Sequence, residues 1–143
     1  MKIVFNEFNR SNTLMSNKNK AENYIKGEAV RREVMSDEFV DRALSNANDF
    51  DQPLQDLVME NAWGSTWCRD DLPKDTRSLI TIAMLIALKA PNELKGHVRG
   101  ALRNGVSKEE IRAVIMHASV YCGFPAAIEA MRATREIVDN WQD

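Results

Sequence analysis

The sequence is poor in the residues from which many small catalytic and metal sites are built. Its 143 residues include two cysteines, two histidines, two tyrosines, six glycines and four prolines. Cys68 and Cys122 lie far apart and neither belongs to a Cys-x-x-Cys pair, which argues against disulfide scaffolds, zinc ribbons and dithiol redox motifs. No HExxH motif is present, so we expect no metal site. Two free thiols favour a cytoplasmic protein.

The chain also lacks a basic excess and a long hydrophobic run. Its 19 Lys+Arg oppose 21 Asp+Glu, for a formal net charge of −2, so its charge does not indicate nucleic acid or an anionic membrane as a partner. The longest apolar stretch, 79–88, is half of the roughly 20 residues needed to span a bilayer. The first residues have too short an apolar run for a signal peptide. A hydrophobic fraction of 44% still supplies a core.

Apolar residues recur at helical spacing from about residue 18 onward, which predicts an all-α domain over 18–143 without an internal boundary. Residues 1–17 are rich in Asn and Ser and lack this periodicity, and we interpret them as a flexible or partner-contacting arm. Helices are predicted over 21–35, 36–43, 51–67, 74–89, 91–104, 107–121 and from 125 onward.

Local signals mark several helix ends. Ser107 and Glu110 form a capping-box pattern, and Gly105 can supply a left-handed cap. The helix over 74–89 is apolar on nearly every side. We therefore expect it to be central and to be covered on most sides, in part by another subunit.

Glu93 and His97 are the first candidates for chemistry. They are four residues apart on one predicted helix, so they lie one turn apart on the same side. Leu94 and Val98 belong to the apolar face of that helix, and the Glu93/His97 pair lies along its edge. The spacing is equally typical of a simple surface interaction or of a partly buried histidine.

Three further side chains give weaker signals. His117 has no acidic residue three or four positions away, and we expect it to be a packing residue. Trp63 and Trp67, also four residues apart, are expected to be core or interface anchors, although aromatic walls also line small-molecule pockets.

Four segments of the sequence are similar to the carboxymuconolactone decarboxylase family, and within it to the 4-(γ-)carboxymuconolactone decarboxylases. They are Asn-Ala-Trp-Gly at 61–64, Thr-Arg-Ser-Leu-Ile-Thr-Ile-Ala-Met at 76–84, Glu-Leu-Lys-Gly-His at 93–97 and Tyr-Cys-Gly-Phe-Pro-Ala-Ala at 121–127. Their order and spacing match the family from about residue 18 to residue 138. The resemblance implies the all-α alkylhydroperoxidase D-like fold and a homo-trimer or homo-hexamer.

The same resemblance disfavours a thiol peroxidase. Aligning the histidine of the superfamily's peroxidases with His97 puts their two cysteines at Ala90 and Glu93, and their glutamate at Ser78. This chain lacks all three groups. It also has Asn61 where many relatives are expected to have histidine, and we assign no role to that position.

The activity implied by the resemblance is decarboxylation of 4-carboxymuconolactone, a dianionic lactone, to 3-oxoadipate enol-lactone in the protocatechuate branch of the β-ketoadipate pathway. Electrons from the breaking bond can flow through the ring double bond to the lactone carbonyl. The substrate thus contains its own electron sink, and we expect no cofactor.

The resemblance also suggests roles for named residues. His97 would transfer the proton, and Glu93 would orient or polarise His97 or shuttle the proton. Arg77 would hold a substrate carboxylate bidentately, with a structural ion pair at a helix N-terminus as the alternative. Tyr121 is a candidate pocket residue or a helix-end packing residue. Trp63 and Trp67 are candidates for the wall of the substrate pocket.

Three rival interpretations remain open from the sequence. The same scaffold can decarboxylate or isomerise a related lactone or a β-keto acid. A non-catalytic helical oligomer or small-molecule-binding protein would also explain the apolar central helix and the polar arm. A thiol peroxidase would require Cys68 and Cys122 to meet in space.

Overall fold

The computed structural model describes residues 2–142, and their side chains from residue 18 to residue 142. Over that range the chain forms seven α-helices, one π-helical segment and no strand, which confirms the predicted all-α class. The elements are α1 Lys2–Met35, α2 Asp37–Asn46, α3 Gln52–Leu57, the π segment Val58–Trp67, α4 Lys74–Ala87, α5 Pro91–Arg103, α6 Lys108–Cys122 and α7 Phe124–Asn140. The arm predicted over 1–17 lies outside the described side chains, and that division stays a prediction.

The helices divide into two compact units. The first comprises residues 1–33 and 37–69, and the second comprises residues 34–36 and 70–143. The first unit thus holds nearly all of α1 together with α2, α3 and the π segment. The second holds α4 to α7 and, among the predicted site residues, Glu93, His97, Arg77 and Tyr121.

In the second unit, α4 packs on α5 and α6, and α7 packs on the same two helices. Ile82 on α4, Val98 on α5 and Ile111 on α6 are almost fully buried where these helices meet. Each such side chain contributes about 1.5–3 kcal/mol by leaving water. The four helices therefore share one apolar core that fixes the positions of the candidate residues on α4, α5 and α6.

The expectation that α4 is covered on most sides holds for one side only within this chain. Ile82 and Ile86 are buried, whereas Met84 is 59% exposed and Leu88 74% exposed. The other side of α4 thus presents apolar side chains to solvent in the single chain.

The local helix signals are confirmed. Ser107 caps α6 through a complete capping box, with its side chain accepting from the Glu110 N–H at 3.1 Å. Gly105 has φ +86° just beyond α5, and its N–H donates to the Leu102 carbonyl while Val106 donates to Ala101. This pair of bonds is a Schellman motif with glycine at its left-handed position.

Helix α4 ends in the same motif without glycine. Lys89 has φ +53°; its N–H donates to Ile86 and the next N–H, of Ala90, donates to Leu85. A residue with a side chain is destabilised by about 1–2 kcal/mol in this conformation. Replacing it with glycine removes that cost, but part of the benefit is lost because glycine increases the conformational entropy of the unfolded chain.

We expect Lys89→Gly to stabilise the protein by roughly 0.5–1 kcal/mol, and Gly105→Ala to destabilise it by about 1 kcal/mol. No side chain crowds Gly105, so its change isolates the backbone effect. Urea unfolding of both variants against wild type is the measurement. Equal shifts of the same sign would contradict this account of the two caps.

The π segment was not predicted. The sequence indicates one continuous helix over 51–67, but from Val58 onward the turn widens. The hydroxyls follow the wider turn: Ser65 donates to the Glu60 carbonyl at 2.9 Å and Thr66 donates to the Asn61 carbonyl at 3.1 Å, each five residues back. Wide turns of this kind often occur at functional sites.

Candidate functional site

Glu93 and His97 lie on one side of α5, as their spacing predicts. Helix α5 starts at Pro91, a residue suited to a first helical turn, so Glu93 falls in that turn, where a carboxylate suits the helix dipole. His97 is half-buried between the buried residues Gly96 and Val98, and Glu93 is exposed. The imidazole is thus held at the margin of the apolar face of α5, with a carboxylate one turn away on the solvent side.

Arg77 lies in the first turns of α4, where its backbone N–H donates to the Pro73 carbonyl at 3.0 Å. Its guanidinium makes a short ion pair with Asp71, and only 10% of the side chain is exposed. The structural ion pair that the sequence left open as an alternative is therefore present. Carboxylate binding by Arg77 stays a prediction.

Tyr121 lines an apolar groove between α4 and α6. The groove has a volume of about 670 Å³. It is lined by Leu79, Ile80, Ala83, Ala113, Val114, His117, Ala118, Tyr121 and Cys122. The Tyr121 ring lies 5.0 Å from the His117 ring at 41°, and 78% of Tyr121 is exposed. Neither His97 nor Arg77 lines this groove.

His117, which we expected to be a packing residue, packs outside the core. Its side chain is exposed on α6, because the core-facing positions of that helix are Ile111, Ile115 and Ala118. His117 lies on the groove side and contacts Tyr121 instead. The sequence signal for this placement was available, since His117 does not share the three- and four-residue spacing that joins those core positions.

Trp63 and Trp67 belong to the π segment of the first unit. Both are buried, and their rings stack with centroids 5.0 Å apart and planes at 28°. This matches the core-anchor interpretation, and their role as substrate-contacting wall residues stays a prediction. On the same segment the Asn61 amide donates to the Leu57 carbonyl at 2.9 Å.

The described residues contain no group of three or more His, Cys, Asp or Glu side chains placed to hold a metal ion. Cys68 and Cys122 are both free thiols, and Cys68 donates to the Gly64 carbonyl at 2.9 Å. In the part of the chain that the structure describes, none of the helices has the length and apolarity to cross a membrane.

Comparison with known proteins identifies the family of this chain. A sequence model of the carboxymuconolactone decarboxylase family matches residues 52–136, which is more than half of the chain. The chain belongs to the carboxymuconolactone decarboxylase family. All six predicted site residues lie inside the matched region of this family member, namely Trp63, Trp67, Arg77, Glu93, His97 and Tyr121.

Two relatives cover most of this carboxymuconolactone decarboxylase family member. It is 44% identical over 119 residues to 4-carboxymuconolactone decarboxylase of Acinetobacter baylyi, a match covering 83% of this chain and 89% of the relative. It is 45% identical over 120 residues to a nitrosuccinic acid decarboxylase of Metarhizium robertsii, covering 84% of each chain. Both relatives are named as decarboxylases of carboxylic acids.

Proposed function

We propose that this protein is a carboxy-lyase that decarboxylates 4-carboxymuconolactone to 3-oxoadipate enol-lactone. The observation that carries the proposal is the 44% identity to a 4-carboxymuconolactone decarboxylase across 83% of this chain and 89% of that relative. The corresponding place in metabolism is the protocatechuate branch of the β-ketoadipate pathway. Two free cysteines are compatible with the reducing cytoplasm that we propose as its location.

The reaction requires no covalent bond between the protein and the substrate. The departing carboxylate leaves its electron pair to the ring double bond and the lactone carbonyl, and CO₂ is released. The protein must hold a dianion, stabilise the developing dienolate oxygen and deliver one proton to carbon.

The proposed roles follow from the chemistry of each side chain. His97 delivers the proton, because an imidazole at the margin of an apolar helix face can act as a general acid. Glu93 orients or polarises His97 from one helical turn away. Arg77 holds a substrate carboxylate through its planar guanidinium. Tyr121 contacts substrate from α6, and the stacked pair on the π segment supplies apolar contact area.

Decarboxylation of nitrosuccinic acid is the second candidate, favoured by 45% identity over 84% of each chain. The assay that separates the two uses both acids side by side at equal enzyme concentration. We expect CO₂ release and loss of lactone absorbance with 4-carboxymuconolactone, and a far smaller kcat/KM with nitrosuccinic acid. The reverse order would transfer the proposal to the second acid, and binding of the lactone without turnover would favour a non-catalytic binding protein.

Retained activity in a Cys68→Ser, Cys122→Ser double variant is expected, because no step above uses a thiol. Loss of activity in that folded variant would show that a thiol is needed.

A homo-oligomer, a trimer or hexamer, is part of the proposal. Its support is a set of apolar side chains of the second unit that are more than half exposed in the single chain. They are Met84, Leu88, Met116, Val120, Tyr121, Phe124 and Ile128. Exposed apolar residues in this number on a few helices are typical of a surface that another chain covers.

Glutamate at Met84 and Val120 is expected to break that assembly. Each side chain is at least 59% exposed, so the charge is tolerated in a separate chain and becomes costly when a partner buries it. Light scattering of the Met84→Glu, Val120→Glu double variant should report one chain where wild type reports three or six. A monomeric wild type at micromolar concentration would contradict the oligomer.

A further inference from the structure

Two neighbouring arginines of α1 are in opposite electrostatic environments. Arg32 is surrounded by carboxylates: its guanidinium lies 2.8 Å from Glu28, 2.7 Å from Asp41 and 3.3 Å from Asp37. The hydrogen bonds that the Arg32 guanidinium donates to Glu28 and Asp41 raise the pKa of Arg32. Arg31 is only 7% exposed and has no ion pair with any side chain described between residues 18 and 142.

The described groups that interact directly with Arg31 are neutral. Its Nη1 donates to the Gln55 side-chain oxygen at 3.3 Å, and its guanidinium carbon lies 5.7 Å from the centre of the Phe39 ring. Burial lowers the pKa of Arg31, and the opposing charge interaction comes from Tyr24, a phenol that is neutral at pH 7. The cation is therefore buried beside an amide, an aromatic face and a phenol.

A buried cation without a counter-charge is unfavourable. Arginine does not release its proton in proteins, so burial cannot be relieved by neutralisation and costs free energy until an anion pairs with it. The unfavourable part of the Arg31 guanidinium can be identified, because its Nε is buried and has no hydrogen-bond partner among the described side chains. Nη1 is already used by Gln55.

The open donors form a defined pair. In a planar guanidinium, the Nε–H and one Nη2–H point the same way and together match the two oxygens of a carboxylate. With Nη1 held by Gln55, this side-on pair is the part of Arg31 left for a ligand. A carboxylate fits it better than a point-like anion would.

We propose that Arg31 binds a ligand carboxylate through Nε and Nη2, with Gln55 and Phe39 holding the guanidinium in place. Arg31 lies before the region 52–136 matched by the family model, and it is distinct from Arg77. The carboxylate has two sources: one carboxylate of the substrate, which rests on the proposed function, or a separate small carboxylate.

The test compares Arg31→Met with Arg32→Met, a matched control on the same helix. The first readout is KM and kcat for 4-carboxymuconolactone. The second is the melting temperature as succinate, a simple dicarboxylate, is titrated into the folded proteins. Circular dichroism checks folding, and Arg31→Lys keeps the charge but lacks the side-on pair, so it serves as a second variant if the methionine form does not fold.

We expect Arg31→Met to raise KM by about 10- to 100-fold with a smaller change in kcat, and Arg32→Met to leave KM unchanged. That result identifies the substrate as the source. The alternative result is that KM is unchanged, and that succinate raises the melting temperature of wild type and Arg32→Met but not that of Arg31→Met. That result identifies a separate small carboxylate as the source. The lysine variant should show the same loss in weaker form.

A structural role predicts something different. In the absence of any carboxylate ligand, the Arg31→Met variant is expected to have a melting temperature equal to or above that of wild type, because the substitution removes an unpaired buried charge. If neither KM nor the succinate response differs between Arg31→Met and wild type, the proposal is overturned. Absence of turnover in wild type would count against the proposed function alone, since the succinate titration does not depend on it.

Discussion

Replacement of His97 by alanine is expected to lower kcat for lactone decarboxylation by about 10²- to 10⁴-fold. The imidazole is half-buried on α5, so its removal takes away the proposed proton donor while the buried residues Leu94 and Val98 keep the helix in place. Because the proton is delivered after substrate is bound, the loss should fall on kcat more than on KM. Steady-state kinetics with a folding check by circular dichroism measure both.

His117→Ala is the matched control, because it removes the second of the two histidines from the same unit. His117 is exposed and contacts Tyr121 in the groove, and we expect that variant to keep kcat within a few-fold of wild type. Glu93→Gln should reduce kcat less than His97→Ala does, since Glu93 acts through the imidazole. A large loss in His117→Ala with normal turnover in His97→Ala would move the chemistry to the groove.

The helix ends could be predicted because their signals are local. Ser107 and Glu110 are three residues apart, and Gly105 forms its bonds with residues within one turn. The placement of His97 at the edge of an apolar face follows in the same way from the helical period. Such features require no knowledge of the rest of the chain.

Features that depend on distant contacts were not predictable. In sequence, Glu28 is three residues from Arg31 and four from Arg32, so both arginines are within helical reach of it. In the structure Glu28 forms its ion pair with Arg32, and Arg31 is buried instead. Which arginine is paired depends on how α1 is rotated against α2 and α3.

The π segment shows the same limit. Its residues continue the helical pattern of α3, and the hydroxyls of Ser65 and Thr66 are common within ordinary helices as well. What the sequence does not show is that Gly64 on this segment meets Gly27 on α1, 37 positions earlier in the chain. The two backbones approach there closely enough to exclude a side chain.

That contact gives the largest expected change in stability. A methyl group on Gly27 would overlap the Met59 carbonyl oxygen and lie 2.7 Å from the Gly64 nitrogen. One on Gly64 would overlap the Asn23 carbonyl and lie 2.8 Å from its carbon. The obstructing atoms belong to backbone on both sides, so no rotamer change can relieve the overlap and α1 must move away from the π segment.

We expect Gly27→Ala and Gly64→Ala each to destabilise the protein by about 3 kcal/mol or more, even though alanine favours a helix by roughly 1 kcal/mol over glycine. Gly100→Ala is the control on another helix. A methyl there meets the flexible Met35 sulfur and the Val34 carbonyl at 3.2 Å, so a shift of a few tenths of an ångström suffices and its loss should be well below that of the other two. Thermal and urea unfolding rank the three variants, and equal losses would show that the α1–π contact is no tighter than an ordinary helix crossing.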